Sequence, residues 1–326
     1  MKELNLREAI GEAISEEMDR DSKVFLLGED VGPFGGVMGQ FRGLHDKYGP
    51  DRIKDTPISE DGIVGVSIGA ALGGFRPVCQ IMFCAFIGLA MDEVWDQATA
   101  LRYVSGGQMK VPMVIETMAG ISGQGDHRHS QTHEGTFMGI PGLKVVFPST
   151  AYDGKGLMKT AIRDDSPVLF MTHPSIIKKN IKSEVPDEEY TIPLGKADIK
   201  REGSDVTVVA TGYMVHKALS AAGRLEEKGI NAEIVDLRSL VPLDKETVLN
   251  SVKKTGHVVI MTEDPKNGSA ASIIAGMIAE EGFDYLDAPI KRVAAKDTPI
   301  PYTPPMEDFY VPQEADLIKA VNEIIK

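Results

Sequence analysis

Side chains able to move protons or hold a ligand concentrate in two stretches of the chain. The first is DTPISEDGIVGVSIGAALGG, residues 55–74. Pro57 fixes an extended entry, Ser59 is placed to cap a helix, and Glu60 and Asp61 fall in its first turn, where the macrodipole favours negative charge. A helix start of this kind is common, and capping is the plain reading of Ser-Glu-Asp. Gly65, Gly69 and Gly73 recur every four residues and leave one helix face without side chains. Each glycine costs a helix about 1 kcal/mol relative to alanine, so something tightly packed is expected on that face. Glu60 would then stand beside a buried interface, where desolvation disfavours its ionised form, as an acid–base group requires.

The second stretch is MAGISGQGDHRHSQTHEG, residues 118–135. A glycine-rich loop at the carboxyl end of a parallel strand is where α/β folds place active sites. Asp126, His127, His129, His133 and Glu134 put five titratable groups into nine residues. Imidazole and carboxylate could ligate zinc or iron, or one histidine could exchange a proton near neutral pH, or the loop could simply be solvated. The spacing does not match a metal motif such as HExxH. Elsewhere Cys79 and Cys84 read as core thiols, and Phe83 and Phe86 as core rings, one of which could stack on a planar ligand. GEDVGPFGGVMG (28–39) lacks both the GxGxxG spacing and the Walker lysine and reads as a turn-rich loop. Asn267-Gly268-Ser269 could bind an anion at a helix N-terminus, though a cap is the plainer reading.

These residues need elements to position them. Helical spacing marks 6–19, 61–74, 88–104 and 151–163; apolar runs mark strands at 24–27, 77–82, 111–116, 143–147 and 167–171. Such alternation predicts an α/β fold with a doubly wound, mostly parallel sheet. Residues 173–195 are polar and proline-bearing and interrupt the rhythm, which then resumes with strands at 205–210, 232–237, 257–262 and 290–294 and helices at 213–228, 244–254, 269–281 and 313–325. The expected organisation is a first domain of 1–180, a linker of 181–195 and a second, smaller α/β domain of 196–326. Two domains suit 326 residues. A net charge of −13, from 35 basic against 48 acidic residues, argues against nucleic-acid or acidic-membrane partners. No apolar run is long enough to span a bilayer and the first residues are not of signal type. Two cysteines suit a reducing cytoplasm.

The strings REAI (7–10), GEDVG (28–32), DTPISEDGI (55–63), RPV (76–78), SGG (105–107), HSQ (129–131), PGLKVV (141–146), KGL (155–157) and AIRDDSPV (161–168) occur in order. LGKADIKREGSDVTVVATG (194–212), DLRSLVPLD (236–244) and LDAPIKRV (286–293) follow. Over nearly its whole length the chain resembles the beta subunit of the thiamine diphosphate-dependent, decarboxylating first component of 2-oxo acid dehydrogenase complexes, whose relatives include the pyruvate, branched-chain and acetoin enzymes. The resemblance implies a pyrimidine-binding domain followed by a transketolase C-terminal-type domain. It implies oxidative decarboxylation of a 2-oxo acid and reductive acylation of a lipoyl group. Glu60 matches the glutamate that hydrogen-bonds the aminopyrimidine ring, Phe86 the aromatic stacked on it, and Met82 a neighbouring contact. His129 matches a histidine used in proton transfer or in acylation of the lipoyl group. Met113, Ala161, Ile162, Asp164 and Ser166 match a potassium site of carbonyls and a carboxylate.

No GDG triplet, the family's pyrophosphate–magnesium signature, occurs in the sequence. The resemblance therefore implies that an alpha subunit holds magnesium and completes the cofactor site in an alpha-two beta-two heterotetramer, which docks on a lipoyl acyltransferase core. The glycine-faced helix would pack against its counterpart there. Three features depart from the family pattern: Glu116 and Met118 where an arginine and a proline are usual, NGSAAS (267–272) at a later helix start, and His127-Arg128 before His129. The alternatives are an acetoin-cleaving or transketolase-like enzyme, a histidine-loop metalloenzyme, and a non-catalytic scaffold that orders its alpha partner.

Overall fold

The computed structural model describes residues 1–121 and 123–325; Ser122, inside the glycine-rich loop, and the terminal Lys326 lie outside the described residues. The chain divides into two compact units, one of Met1–Ala119 with Ile140–Leu194, the other of Gly120–Gly139 with Gly195–Lys326. The histidine-rich loop, counted with the first domain from the sequence, thus folds with the second unit.

In the first unit β1 (Lys2–Asn5) stands apart from a sheet built of β2 (Val24–Gly28), β3 (Ile53–Asp55), β4 (Arg76–Phe83), β5 (Val114–Met118), β6 (Lys144–Val146) and β7 (Val168–Thr172). These run in the order β6-β7-β5-β4-β2-β3, each neighbouring pair parallel. Every residue of β5 and β7 is buried, which is why both read as near-continuous apolar runs. Because the strands are parallel, their carboxyl ends share one edge: Gly28 pairs with Asp55 and with Gln80, and Phe83 with Met118.

Helix Leu6–Arg20 starts with a capping box between Asn5 and Glu8 and packs on helix Ala151–Arg163. The two approach so closely that a Cβ on Gly154 would stand 2.4 Å from Leu6. Lys155 and Lys159, both buried, reach Glu16 at 2.6 and 2.8 Å, since an ammonium taken out of water needs a carboxylate. Two expectations change here. Residues 88–104 form not one helix but a 3-10 segment (Cys84–Ala90), a π-helical turn (Glu93–Ala98) and a short α-helix (Thr99–Val104). Residues 181–195 are not a free linker, because β8 (Lys182–Val185) pairs antiparallel with β1 and Val185 is buried with Ala9 and Ala151.

The second unit holds β9 (Asp198–Arg201), β10 (Val206–Ala210), β11 (Ala232–Asp236), β12 (Ser239–Val241), β13 (Val258–Pro265) and β14 (Lys291–Ala295). Its sheet runs β14-β13-β10-β11-β9, parallel except for the β9 edge. Helices Gly212–Glu226, Lys245–Thr255, Ala270–Glu281 and Glu314–Ile324 accompany it. Its core includes Ile121 from the loop. Among the described residues no helix is long and apolar enough to cross a membrane.

Candidate active site

Helix Glu60–Leu72 begins just beyond the β3 end of the shared edge. Ser59 precedes it without a side-chain cap; its hydroxyl donates instead to the Pro57 carbonyl at 3.2 Å. Ile63, Val64, Ser67, Ile68 and Ala71 face inward, and the helix packs on β4 and on the 3-10 segment after it. Glu60, half-buried, opens this helix, and the elements it packs on carry Met82, near the end of β4, and Phe86, the third residue of the 3-10 segment. Both are half-buried, and Phe86 meets Phe83 edge to face with centroids 5.7 Å apart. A carboxyl at a helix start, with a thioether and an aromatic ring on the elements that helix packs against, suits a flat ring bearing hydrogen-bonding nitrogens.

Glu29, which sequence reasoning passed over, begins the loop after β2 on the same edge. Burial, then the charges of Asp30 and Glu60, holds its carboxyl above the usual range. The GEDVG string was the available signal for it.

Among the described residues of the first unit, little covers the glycine face of the helix. A Cβ on Gly65 would meet only the Glu93 side chain, at 3.9 Å, and one on Gly69 would meet nothing. Val66 on the same helix is 62% exposed, and Trp95 and Tyr103 are exposed as well.

In the second unit the loop Gly120–Gly139 is held by carboxylates. Ile121 N–H donates to Glu263 Oε1 at 2.5 Å, and Gln124 N–H to Glu307 at 2.9 and 3.0 Å. Asp264 accepts from the Thr132 hydroxyl and from the N–H groups of Glu134 (3.2 Å) and Gly135 (2.8 Å). Three non-glycine residues, Gln124, Asp126 and His133, hold left-handed φ values of 58°, 62° and 55°, a strained path kept by these anchors. His129 Nδ1 lies 2.8 Å from the Gly125 carbonyl and 3.1 Å from Asp126 Oδ1. Since a carbonyl only accepts, Nδ1 carries a proton. Although partial burial works against it, hydrogen bonds from Arg128 and His129 hold Asp126 below the usual carboxylate range.

The metal reading of this loop fails. Among the described residues no group of three His, Cys, Asp or Glu side chains converges to hold an ion. The imidazoles are taken up by hydrogen bonds instead: His127 accepts from Ile300 N–H at 3.2 Å, and the Gln131 amide lies between His127, at 3.0 Å, and His133. Ser269 does not cap its helix through its side chain; the hydroxyl donates to Lys266 O at 3.3 Å.

Comparison with known proteins settles the family. Residues 2–179 match the transketolase pyrimidine-binding domain and residues 195–317 the transketolase C-terminal domain. The chain is 46% identical to the 2-oxoisovalerate dehydrogenase subunit beta of Bacillus subtilis, with 99% of each chain covered. It is 41% identical to the pyruvate dehydrogenase E1 component subunit beta of the same organism, with 100% of each covered. The chain belongs to the E1 beta-subunit family of 2-oxo acid and acetoin dehydrogenases. A B. subtilis acetoin:2,6-dichlorophenolindophenol oxidoreductase subunit beta is 43% identical over 99% of this chain and 97% of its own. Among solved structures, a split-gene transketolase described as an inactive beta4 tetramer is similar with a TM-score of 0.81, 26% identity and 98% of each chain covered.

Two features of this beta-family chain concern the residues just placed. Glu116, where the resemblance leads one to look for arginine, lies buried within the sheet, accepting from Gln80 Nε2 at 2.8 Å and Thr172 Oγ1 at 3.1 Å. Burial pushes its carboxyl up to about 7, against the lowering effect of those hydrogen bonds. The five residues matched to potassium gather around the turn joining helix Ala151–Arg163 to β7. Met113 O accepts from Val168 N–H, Ala161 O from Asp164 N–H, and Ser166 N–H donates to Asp164 Oδ1 at 2.9 Å. Arg76 donates to the carbonyls of Ile162 (3.0 Å) and Asp164 (2.9 Å), and Lys144 reaches the Asp164 carboxylate.

Proposed function

We propose that this chain is the beta subunit of a thiamine diphosphate-dependent 2-oxo acid dehydrogenase component. Its substrate would be a branched-chain 2-oxo acid or pyruvate, and the acyl group would pass to a lipoyl group on an acyltransferase core. What supports this is Glu60 at the start of a helix that packs on the elements carrying Met82 and Phe86, in a chain of this family. When bound, thiamine diphosphate supplies a thiazolium that accepts the electrons left as the carboxyl departs. Glu60 would hold a proton against a pyrimidine ring nitrogen, Phe86 would stack on the ring, and Met82 would fill its edge. His129, its ring oriented by the Nδ1–H bond to the Gly125 carbonyl, would exchange a proton with the reacting group or with the lipoyl thiol.

The pyrophosphate and magnesium would be held by an alpha subunit, since the chain has no GDG triplet. The uncovered glycine face supports an alpha-two beta-two assembly, because backbone can approach there closely. Potassium would take second lone pairs of the Met113, Ala161, Ile162, Asp164 and Ser166 oxygens, hard donors of the right kind. Two relatives at 43% and 44% identity favour acetoin cleavage as a second reading.

Calorimetric titration tests the split site. Thiamine diphosphate with magnesium should bind only after the chain is combined with its alpha partner, and Glu60→Gln should abolish turnover of that complex. Tight magnesium-dependent binding by the chain alone, or unchanged turnover by Glu60→Gln, refutes the assignment.

A further inference from the structure

A basic surface of the first unit lies outside the residues assigned to catalysis. The glycine-rich string 28–39, which lacks the spacing of a phosphate loop, bounds a cavity of about 600 Å³ beside the start of helix Leu6–Arg20. Three local contacts build it. Asn5 pairs with Lys182 across the β1–β8 ladder, and its amide donates to Asn180 Oδ1 at 2.7 Å. Arg7 donates from Nη1 to the Met38 carbonyl at 3.3 Å, tying the glycine string to the helix start. Gly36 and Gly39 hold φ values of 82° and 72°, which turn the chain back until the Arg42 guanidinium lies under Gly39. A Cβ on Gly39 would stand 3.4 Å from Arg42 Nη2.

The charge around this cavity is opposite to that of the chain. Among the described residues that line it are Arg7, Arg42, Lys178 and Lys182, with Glu8 the one carboxylate, in a protein of net charge −13. Glu8 is already engaged, since its Oε2 accepts the Asn5 N–H at 3.0 Å in the capping box. Arg42 and Lys182 are exposed, and among the described residues no carboxylate pairs with either side chain. Like charges held around one cavity repel each other, and a polyanion seated among them relieves that cost. Guanidinium suits phosphate in particular, because its fork of donors meets two oxygens at once. Phe34, which also lines the cavity, is 62% exposed, an apolar ring left in water beside the cations. A ligand that joins phosphates to a flat ring satisfies both parts of the lining.

We propose that this cavity binds a nucleoside di- or triphosphate, with its phosphates among Arg7, Arg42 and Lys182 and its base against Phe34. None of these residues is among those assigned to thiamine diphosphate, so the two readings stand or fall apart.

Calorimetric titration of ADP into the full chain, without magnesium and at low salt, tests the site. ADP should bind, with affinity about tenfold or more lower for adenosine, and lower by a similar factor for ADP itself in high salt. Arg42→Gln combined with Lys182→Gln, both at exposed positions, should weaken ADP about tenfold or more. Lys228→Gln, at an exposed position of the second unit, should leave it unchanged. Phe34→Ser should weaken ADP and leave pyrophosphate binding as it was. No binding of ADP at millimolar concentration overturns the proposal, as does equal binding by the double variant. Loss of ADP binding in Glu60→Gln would trace it to the cofactor site and overturns the proposal too. So does binding by the chain alone that disappears in the complex with its alpha partner, since that face then belongs to the subunit contact.

Discussion

Replacing Glu116 with glutamine should stabilise the first unit at alkaline pH. Glu116 is 1% exposed, and its carboxyl is pushed from 4.5 to about 7 by burial. At about 1.4 kcal/mol per pH unit, holding it ionised costs the fold about 3 kcal/mol. The unfolded chain gives up this proton near 4.5, whereas the folded chain keeps it to about 7. Between those values the native state binds more protons, so stability falls as pH rises and is lowest above the folded value. Glutamine has almost the same shape and no charge to bury. Its amide also has a waiting acceptor, because Gln80 Oε1 is buried with no hydrogen-bond partner and a turn of that amide presents it. Urea denaturation followed by fluorescence of Trp95, the only tryptophan and part of the first unit, isolates the effect. Native and Glu116→Gln chains should differ little near pH 5 and by about 3 kcal/mol near pH 8.5, with the variant the more stable. Parallel curves for the two proteins over this range would refute the reasoning.

Gly135→Ala should destabilise the second unit by about 3 kcal/mol or more, since backbone at 2.0 Å leaves the methyl no space; calorimetric melting checks it. Gly69→Leu should leave the isolated chain folded, because its Cβ meets nothing, yet abolish assembly with the alpha partner in sedimentation velocity. Potassium, unlike sodium at equal ionic strength, should raise the melting temperature of the first unit, by about 2.7 kcal/mol of stability at 100 times its dissociation constant. Asp164→Asn should remove that difference.

Sheet strands and long helices were legible because period and burial agree in them. Val168–Thr172 and Val206–Ala210 are wholly buried runs that appear within a residue of their expected places. What escaped the sequence was set by distant contacts. Lys182–Val185 looks like polar linker, and only its pairing with the first residues of the chain makes it a strand. The helical spacing at 88–104 gave no sign of its 3-10 and π-helical start, where apolar residues alone satisfy either winding. At the candidate site, Glu60, Met82 and Phe86 were found through the resemblance, with the glycine spacing beside them. Glu134 was counted in the polar cluster, but its partners Thr211, Thr262 and Asp264 lie 77 to 130 residues away, beyond any local pattern.

The excursion of Gly120–Gly139 out of the first unit has a consequence for biosynthesis. When these residues leave the ribosome, the segments that will hold them do not yet exist: Asp264, Ile300 and Glu307 are still untranslated. At 5–20 residues per second, Glu307 follows Gly139 by about 10–30 s. Through that interval a nascent chain can assemble the strands on either side of the loop while the histidines hang from it without a seat. The half of the chain that is made first thus waits on the half made last to seat its histidine loop. A premature stop between Leu194 and Asp264 would yield a polypeptide with the strands of its first sheet and a histidine segment without its carboxylate anchors.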